Sequence, residues 1–334
     1  MRRFLILAAL LLAACQPAPK IHSQESYVFG TRVEVLVWGE PADKAREAVA
    51  EVLREFDRLH RTYHAWQPSE LTALNDAIAA GRRHEVAPEL AQFAREAQEF
   101  SARGDHLFDP GVGALVKLWG FHDDSFRAQL PDPAALAKLV KARPSIADLT
   151  ITGNTVSSGN PAVALDFGGY LKGVALDHAI DILWRYGISN ALVNIGGNVM
   201  ALGSKGGAPW RVGIQSPRAT TPLATLDLKD GEAIGTSGDY QRYFELDGRR
   251  YSHLLDPRSG QPAAGSQAVT VLITPRPRAG MWSDWASKPI FIAGAGWRDM
   301  AQKLGITHVL RVDAAGKVEV TDELRPRLTM GPGS

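Results

Sequence analysis

Tyr243–Leu254 reads YFELDGRRYSHL. Asp247-Gly248 accepts the positive φ values of a two-residue hairpin loop, and short runs rich in aromatic and apolar residues flank it. The spacing predicts a β-hairpin with strands Tyr243–Leu246 and Arg250–Leu254. Ala191–Ile195, Val199–Leu202, Trp210–Gln215 and Leu223–Leu228 upstream also read as strands. So does Val269–Thr274 downstream, and His308–Val320 reads as a hairpin around Gly316. These strands mostly follow one another with no helix between them. That succession predicts an α+β fold with antiparallel sheets and argues against a doubly wound parallel sheet.

Further upstream, Ser26–Trp38 reads as a strand with an irregularity at Gly30, and Ala162–Asp166 as another strand. Leu149–Ser157 reads as a hairpin turning at Gly153-Asn154. Pro41–Arg61 carries Ala45, Val49, Val52, Phe56 and Leu59 at helical spacing. Glu70–Ala80, with Ser69 as N-cap and Gly81 as stop, is a second helix, and Pro88–Arg103 a third. A glycine-rich stretch, Leu107–Phe121, precedes a short helix over Pro133–Ala142. Leu171–Tyr186, Asp284–Ala293 and Trp297–Leu304 complete the helices.

The chain has 334 residues, a length that predicts about two domains or lobes. It is 45% hydrophobic and 22% charged with formal net charge +1, which excludes a disordered chain and a nucleic-acid binder relying on broad basic charge. No P-loop and no HExxH is present, and the nine histidines do not cluster at metal-ligand spacing. Gly235-Thr236-Ser237-Gly238 is not a nucleophile elbow.

The single cysteine, Cys15, excludes a disulfide framework and a thiolate metal cluster. Met1-Arg2-Arg3 and the apolar run Phe4–Leu12 form a signal-peptide pattern, and Leu12-Ala13-Ala14-Cys15 resembles the bacterial lipobox. That resemblance implies cleavage before Cys15, a diacylglycerol on its thiol, and a lipid-anchored, periplasm-facing protein of the bacterial cell envelope. Residues 1–14 are then a lipoprotein signal peptide and 15–25 a lipidated flexible tether. Residues 26–325 form the working domain, and 326–334 are expected to be a disordered tail.

Asp166-Phe167-Gly168-Gly169-Tyr170-Leu171-Lys172-Gly173 ends an apolar strand with a carboxylate, turns on two glycines and starts a helix. Helix N-terminal amides favour an anion, and Lys172 adds charge there. Asp166 accepts hydrogen bonds from a ligand, helps hold a metal, or is simply an acidic helix start. Asn194-Ile195-Gly196-Gly197-Asn198 offers polar groups either to turn backbone or to a ligand. His253 suits general-base work or a structural place on its strand. Asp109 and Asp284 are each metal ligands or helix caps.

The segments FDPGVGALVKLWGF, LDFGGYLKGVALD, ALVNIGGNVMALG, WRVGIQSP, AIGTSGDYQRYFELDGRRYSHLLDPRSGQP and SDWASKPIFIAG occur in this order. Together they resemble the ApbE family of FAD:protein FMN transferases, from about Tyr27 to about Leu310. The resemblance implies a T-fold-like architecture of antiparallel sheets with flanking helices, two lobes around a FAD cleft, and Mg²⁺ at the pyrophosphate. It implies transfer of FMN from FAD onto a Thr or Ser hydroxyl of a target protein, with release of AMP. The implied acceptor is a flavin-bearing subunit of a membrane redox complex. Hydrolysis of FAD to FMN and AMP, or a non-catalytic FAD-binding lipoprotein, are the alternatives. By motif position, Phe29, Tyr63 or Trp66, Leu107, Phe108, Asp109, Asp166, Lys172, His253 and Leu254 contact FAD, and His253, Asp284 and Lys172 are catalytic. Gly169, Asp284 and Ser287 hold the metal. Lys288 stands where the family has a metal-binding threonine, and an ammonium has no lone pair with which to ligate. Either Mg²⁺ keeps fewer protein ligands, with waters filling the gaps, or the lysine charge takes over part of its role.

Overall fold

The computed structural model describes residues 20–122 and 127–331. Cys15 and the expected signal peptide lie outside the described residues. The architecture is α+β, as the succession of strands predicts. Its centre is an eight-stranded sheet of β1 (Ile21–Val28), β2 (Thr31–Trp38), β3 (Ala191–Ile195), β4 (Asn198–Leu202), β5 (Ala233–Gly238), β6 (Ser266–Ile273), β7 (Val309–Asp313) and β8 (Val318–Val320). Spatial order follows chain order, and every neighbouring pair is antiparallel. The sheet stays open, with β1 and β8 as its edges.

The helices are α1 (Ala42–Thr62), α2 (Glu70–Ala79), α3 (Pro88–Arg103), α4 (Gly113–Leu118), α5 (Pro133–Ala142), α6 (Leu171–Arg185), α7 (Ala279–Ile292) and α8 (Trp297–Leu304). Side chains alternate along a strand, so Val33, Val35 and Val37 of β2 all reach one face, where they join Val49, Val52 and Phe56 of α1 in the main core. Leu192, Val199, Ile234 and Leu272 point the other way. They pack against Trp210, Val212, Ile214 and Leu226 of a separate three-stranded sheet, Trp210–Gln215, Pro222–Leu228 and Leu328–Met330. A third cluster joins Leu115 of α4, Trp119 and Phe121 to Phe244 and Tyr251 of the Tyr243–Leu246/Arg249–Ser252 hairpin. The Phe244 and Tyr251 rings stack there at 5.1 Å.

Ser69 starts α2 as expected: its Oγ accepts from the Thr72 amide at 3.0 Å, and its own amide donates to Thr72 Oγ1 at 2.9 Å. Other expectations need correction. β1 begins at Ile21, so residues 21–25 belong to the sheet and not to a tether; their polar alternation suits an exposed edge strand. Ala162–Asp166 makes only an isolated bridge, Val112 to Ala164. The expected tail contains the strand Leu328–Met330. α7 begins at Ala279, five residues before Asp284, because Asp177 caps it by accepting from the Gly280 and Met281 amides at 2.8 and 2.9 Å. β5 carries no alternating apolar pattern. Its small residues serve close packing: a Cβ on Gly235 would lie 2.1 Å from the Ser283 carbonyl oxygen of α7.

α6 and α7 cross at two glycines. A Cβ on Gly173 would lie 2.5 Å from the Gly280 carbonyl oxygen and 2.7 Å from Asp284 Cβ. Gly173→Ala is therefore expected to force the helices apart and to destabilise the protein by about 1–3 kcal/mol, readable as a lower denaturant midpoint. An unchanged midpoint would show that the crossing is not tight.

Candidate functional site

A cleft of about 890 Å³ opens where the main core meets the third cluster. One wall is aromatic. Phe29 and Gly30 form the β1–β2 turn with φ of +57° and +66°, both in the left-handed region that a two-residue hairpin loop needs. The Phe29 ring is held there against Phe56 (6.0 Å) and His60 (5.7 Å). Beyond α1, His64 Nδ1 accepts from the Trp66 and Gln67 amides, both at 3.0 Å, which folds that loop onto the cleft. Tyr63 also lines the cleft, but its ring packs on Phe93 at 5.0 Å and its hydroxyl bonds Glu89. Trp66 is half-buried, 5.8 Å from the His122 ring, and is the better placed of the two for stacking.

Leu107, Phe108 and Asp109 reach the cleft together. The Asp109 carboxylate is already used, accepting from the Gly111 and Ile146 amides, each at 2.8 Å, and from the Ser145 hydroxyl. Burial pushes its pKa up against those bonds. Asp109 therefore positions its loop. Asn194 and Asn198 likewise serve backbone, accepting from the Gly197 and Thr236 amides at 3.0 Å.

One end of the cleft is basic. Asp166 closes a turn by accepting from the Gly168 amide at 2.8 Å, and α6 starts five residues later. Gly169 is glycine for space: a Cβ would meet Phe108 Cε2 at 2.7 Å and the Lys288 stem at 3.3 Å. Lys172, Arg242, Lys288 and His253 all line this end. Burial lowers the Lys172 pKa, and the charges of Lys288 and Arg242 add to that. His253 Nδ1 lies 3.2 Å from the Arg242 carbonyl oxygen, which can only accept, so Nδ1 carries the proton and Nε2 the lone pair. Burial, reinforced by Arg242 and Lys172, pushes the His253 pKa down to about 3. An anion bound among these cations would relieve the repulsion and raise that pKa.

The unfolded imidazole takes a proton below pH ~6.5 and the folded one only near 3. The stability this difference contributes is complete above about pH 6.5 and is lost as pH falls. His253→Gln should therefore gain on the wild type between pH 7 and pH 5 in urea unfolding. A gap that stays constant with pH would contradict the buried neutral imidazole.

Asp284 and Ser287 do not line the cleft; both side chains are fully buried behind it. Asp284 Oδ2 accepts from the Gly173 amide at 2.9 Å. Its Oδ1 and its carbonyl oxygen both accept from Lys288 Nζ, at 2.6 and 2.8 Å. Ser287 Oγ donates to the Asp284 carbonyl at 2.9 Å and pairs with Ser237 Oγ at 2.8 Å. The expected Mg²⁺ ligand set is thus already occupied, with an ammonium among its donor atoms. The residues present do not fit a divalent ion there. Among the described residues no group of three or more His, Cys, Asp or Glu could hold a metal.

Thr236, Ser237, Gln241 and Arg242 also line the cleft, although sequence reasoning assigned them no role. Arg242 donates to the Phe121 carbonyl oxygen at 3.1 Å, tying the hairpin to the third cluster. The only signal for it was an arginine just before the hairpin.

Aromatic side chains and a cluster of cations at a glycine-rich helix start thus line one cleft. The chain matches the ApbE family over residues 29–310, and it belongs to that family. It is 43% identical to an FAD:protein FMN transferase of Rhodobacter capsulatus over 97% of its own length, although it spans only 61% of that relative. A Vibrio cholerae FAD:protein FMN transferase is 30% identical, covering 98% of this chain and 100% of the relative. Among solved structures, the ApbE protein of Thermotoga maritima superposes with TM-score 0.83 at 29% identity, covering 92% of this chain and 99% of the other. The apo flavinyl transferase ApbE of Pseudomonas stutzeri gives 0.80 at 28% identity, covering 94% and 98%.

Proposed function

We propose that this chain transfers FMN from FAD to a Thr or Ser hydroxyl of another protein, releasing AMP. The observation that carries the reading is the convergence of Lys172, Arg242, Lys288 and His253 in a cleft that Phe29 and Trp66 also line. Phe29 and Trp66 hold the flat rings, and the three cations draw in the pyrophosphate and neutralise the charge that develops on it. The acceptor hydroxyl oxygen attacks the phosphorus on the FMN side. A new P–O bond forms, the P–O bond to the AMP phosphate breaks, and AMP leaves with that electron pair. His253 Nε2 takes the hydroxyl proton. Incubation with FAD, with and without an acceptor protein, tests the reading. AMP released only when the acceptor is present supports transfer, and steady AMP release without it indicates hydrolysis.

The acceptor we propose is a flavin-bearing subunit of a membrane redox complex, met on the periplasmic side. The lipobox-like Leu12-Ala13-Ala14-Cys15 supports a lipid anchor at Cys15. Among the described residues no helix is long and apolar enough to cross a membrane. Cells fed labelled palmitate are expected to incorporate it into the wild-type protein and not into Cys15→Ser. Equal labelling of the two would sink the anchor.

A further inference from the structure

We propose that the Lys288 ammonium is the resident cation of this site, so that the chain binds FAD and handles its pyrophosphate without a divalent metal. The inference rests on the FAD reading above. Three observations carry it. First, Lys288 Nζ lies 2.6 Å from Asp284 Oδ1 and 2.8 Å from the Asp284 carbonyl oxygen, so one tethered cation takes both oxygens. Magnesium demands oxygen ligands in near-octahedral array at about 2.0–2.1 Å, and an ammonium among those oxygens supplies repulsion instead of a lone pair.

Second, the remaining oxygens are committed. Asp284 Oδ2 caps the Gly173 amide at 2.9 Å, and the Ser287 hydroxyl bonds the Asp284 carbonyl at 2.9 Å and Ser237 at 2.8 Å. Third, the lysine stem is led to the phosphate-facing side. It passes Gly169 so closely that a Cβ there would lie 3.3 Å from both Cδ and Cε, and Lys288 lines the cleft. An ammonium has three N–H donors. Two are spent on Asp284, which leaves one for a phosphate oxygen. The Asp284 carboxylate compensates the buried charge and aims it, as a positioning residue.

The test compares FAD binding, followed by flavin fluorescence, in EDTA and in excess Mg²⁺, alongside Mn²⁺ titrations read by electron paramagnetic resonance. The wild type is expected to bind FAD equally in both buffers and to leave the free-Mn²⁺ signal unchanged. Lys288→Thr is expected to lose about tenfold or more of its FAD affinity in EDTA, the effect of losing one charged hydrogen bond. It should regain affinity with Mg²⁺ and deplete the free-Mn²⁺ signal. A wild type that needs Mg²⁺ to bind FAD would overturn the inference and leave the FAD reading standing. A wild type that binds no FAD in either buffer would overturn both. If Lys288→Thr does not fold, the two wild-type measurements decide alone.

Discussion

His253→Ala is expected to lower the rate of FMN transfer by about 10²-fold or more while leaving FAD affinity nearly unchanged. The imidazole is the group at the basic end of the cleft whose tautomer leaves a lone pair free for a proton: Nδ1–H is committed to the Arg242 carbonyl and Nε2 is not. Affinity comes instead from the aromatic wall and from Lys172, Arg242 and Lys288, which the substitution leaves in place. Burial, and then Arg242 and Lys172, push the imidazole pKa down to about 3, which leaves it a weak base. A bound pyrophosphate offsets those two charges and moves the imidazole toward the range where it accepts a proton near neutral pH. Single-turnover transfer rates beside a FAD titration separate the two effects. Transfer at the wild-type rate in His253→Ala would remove the residue from the mechanism.

Asp284→Ala is expected to lower the melting temperature on the order of 10 °C. Removing one partner of a buried ion pair costs about 3–5 kcal/mol, and each kcal/mol is worth roughly 2–4 °C in larger domains. Here the loss is compounded, because Asp284 is fully buried and holds both the Lys288 ammonium and the Gly173 amide. Asp284→Asn keeps an acceptor for Gly173 and should fall less far. Calorimetry of both variants checks the order. Equal and small shifts would mean that the α6–α7 contact does not depend on this carboxylate.

Much of the fold was legible where local chemistry decides structure. The Asp247-Gly248 turn, the Ser69 capping box and the helical spacing of Val49, Val52 and Phe56 each depend on residues close in sequence. β5 was not legible, because Ala-Ile-Gly-Thr-Ser-Gly owes its strand to pairing with β6 and to the close approach of α7 at Gly235. The start of β1 at Ile21 was hidden for a similar reason: hydrogen bonds to β2, not apolar alternation, hold His22–Glu25 extended. In the site, motif position brought Phe29, Trp66, Asp166, Lys172, His253 and Lys288 to one cleft. What motif position did not reveal was where side-chain charge is spent. Asp109 turns to backbone, Asp284 turns to Lys288, and Arg242 joins from the hairpin.

The most direct measurement is the intact mass of an acceptor protein after incubation with this chain and FAD, with AMP quantified in the same sample. The expected result is a gain of one FMN on a single Thr or Ser of the acceptor, with one AMP released per modification. AMP released with no gain in acceptor mass, or neither product formed while FAD is bound, would contradict transfer.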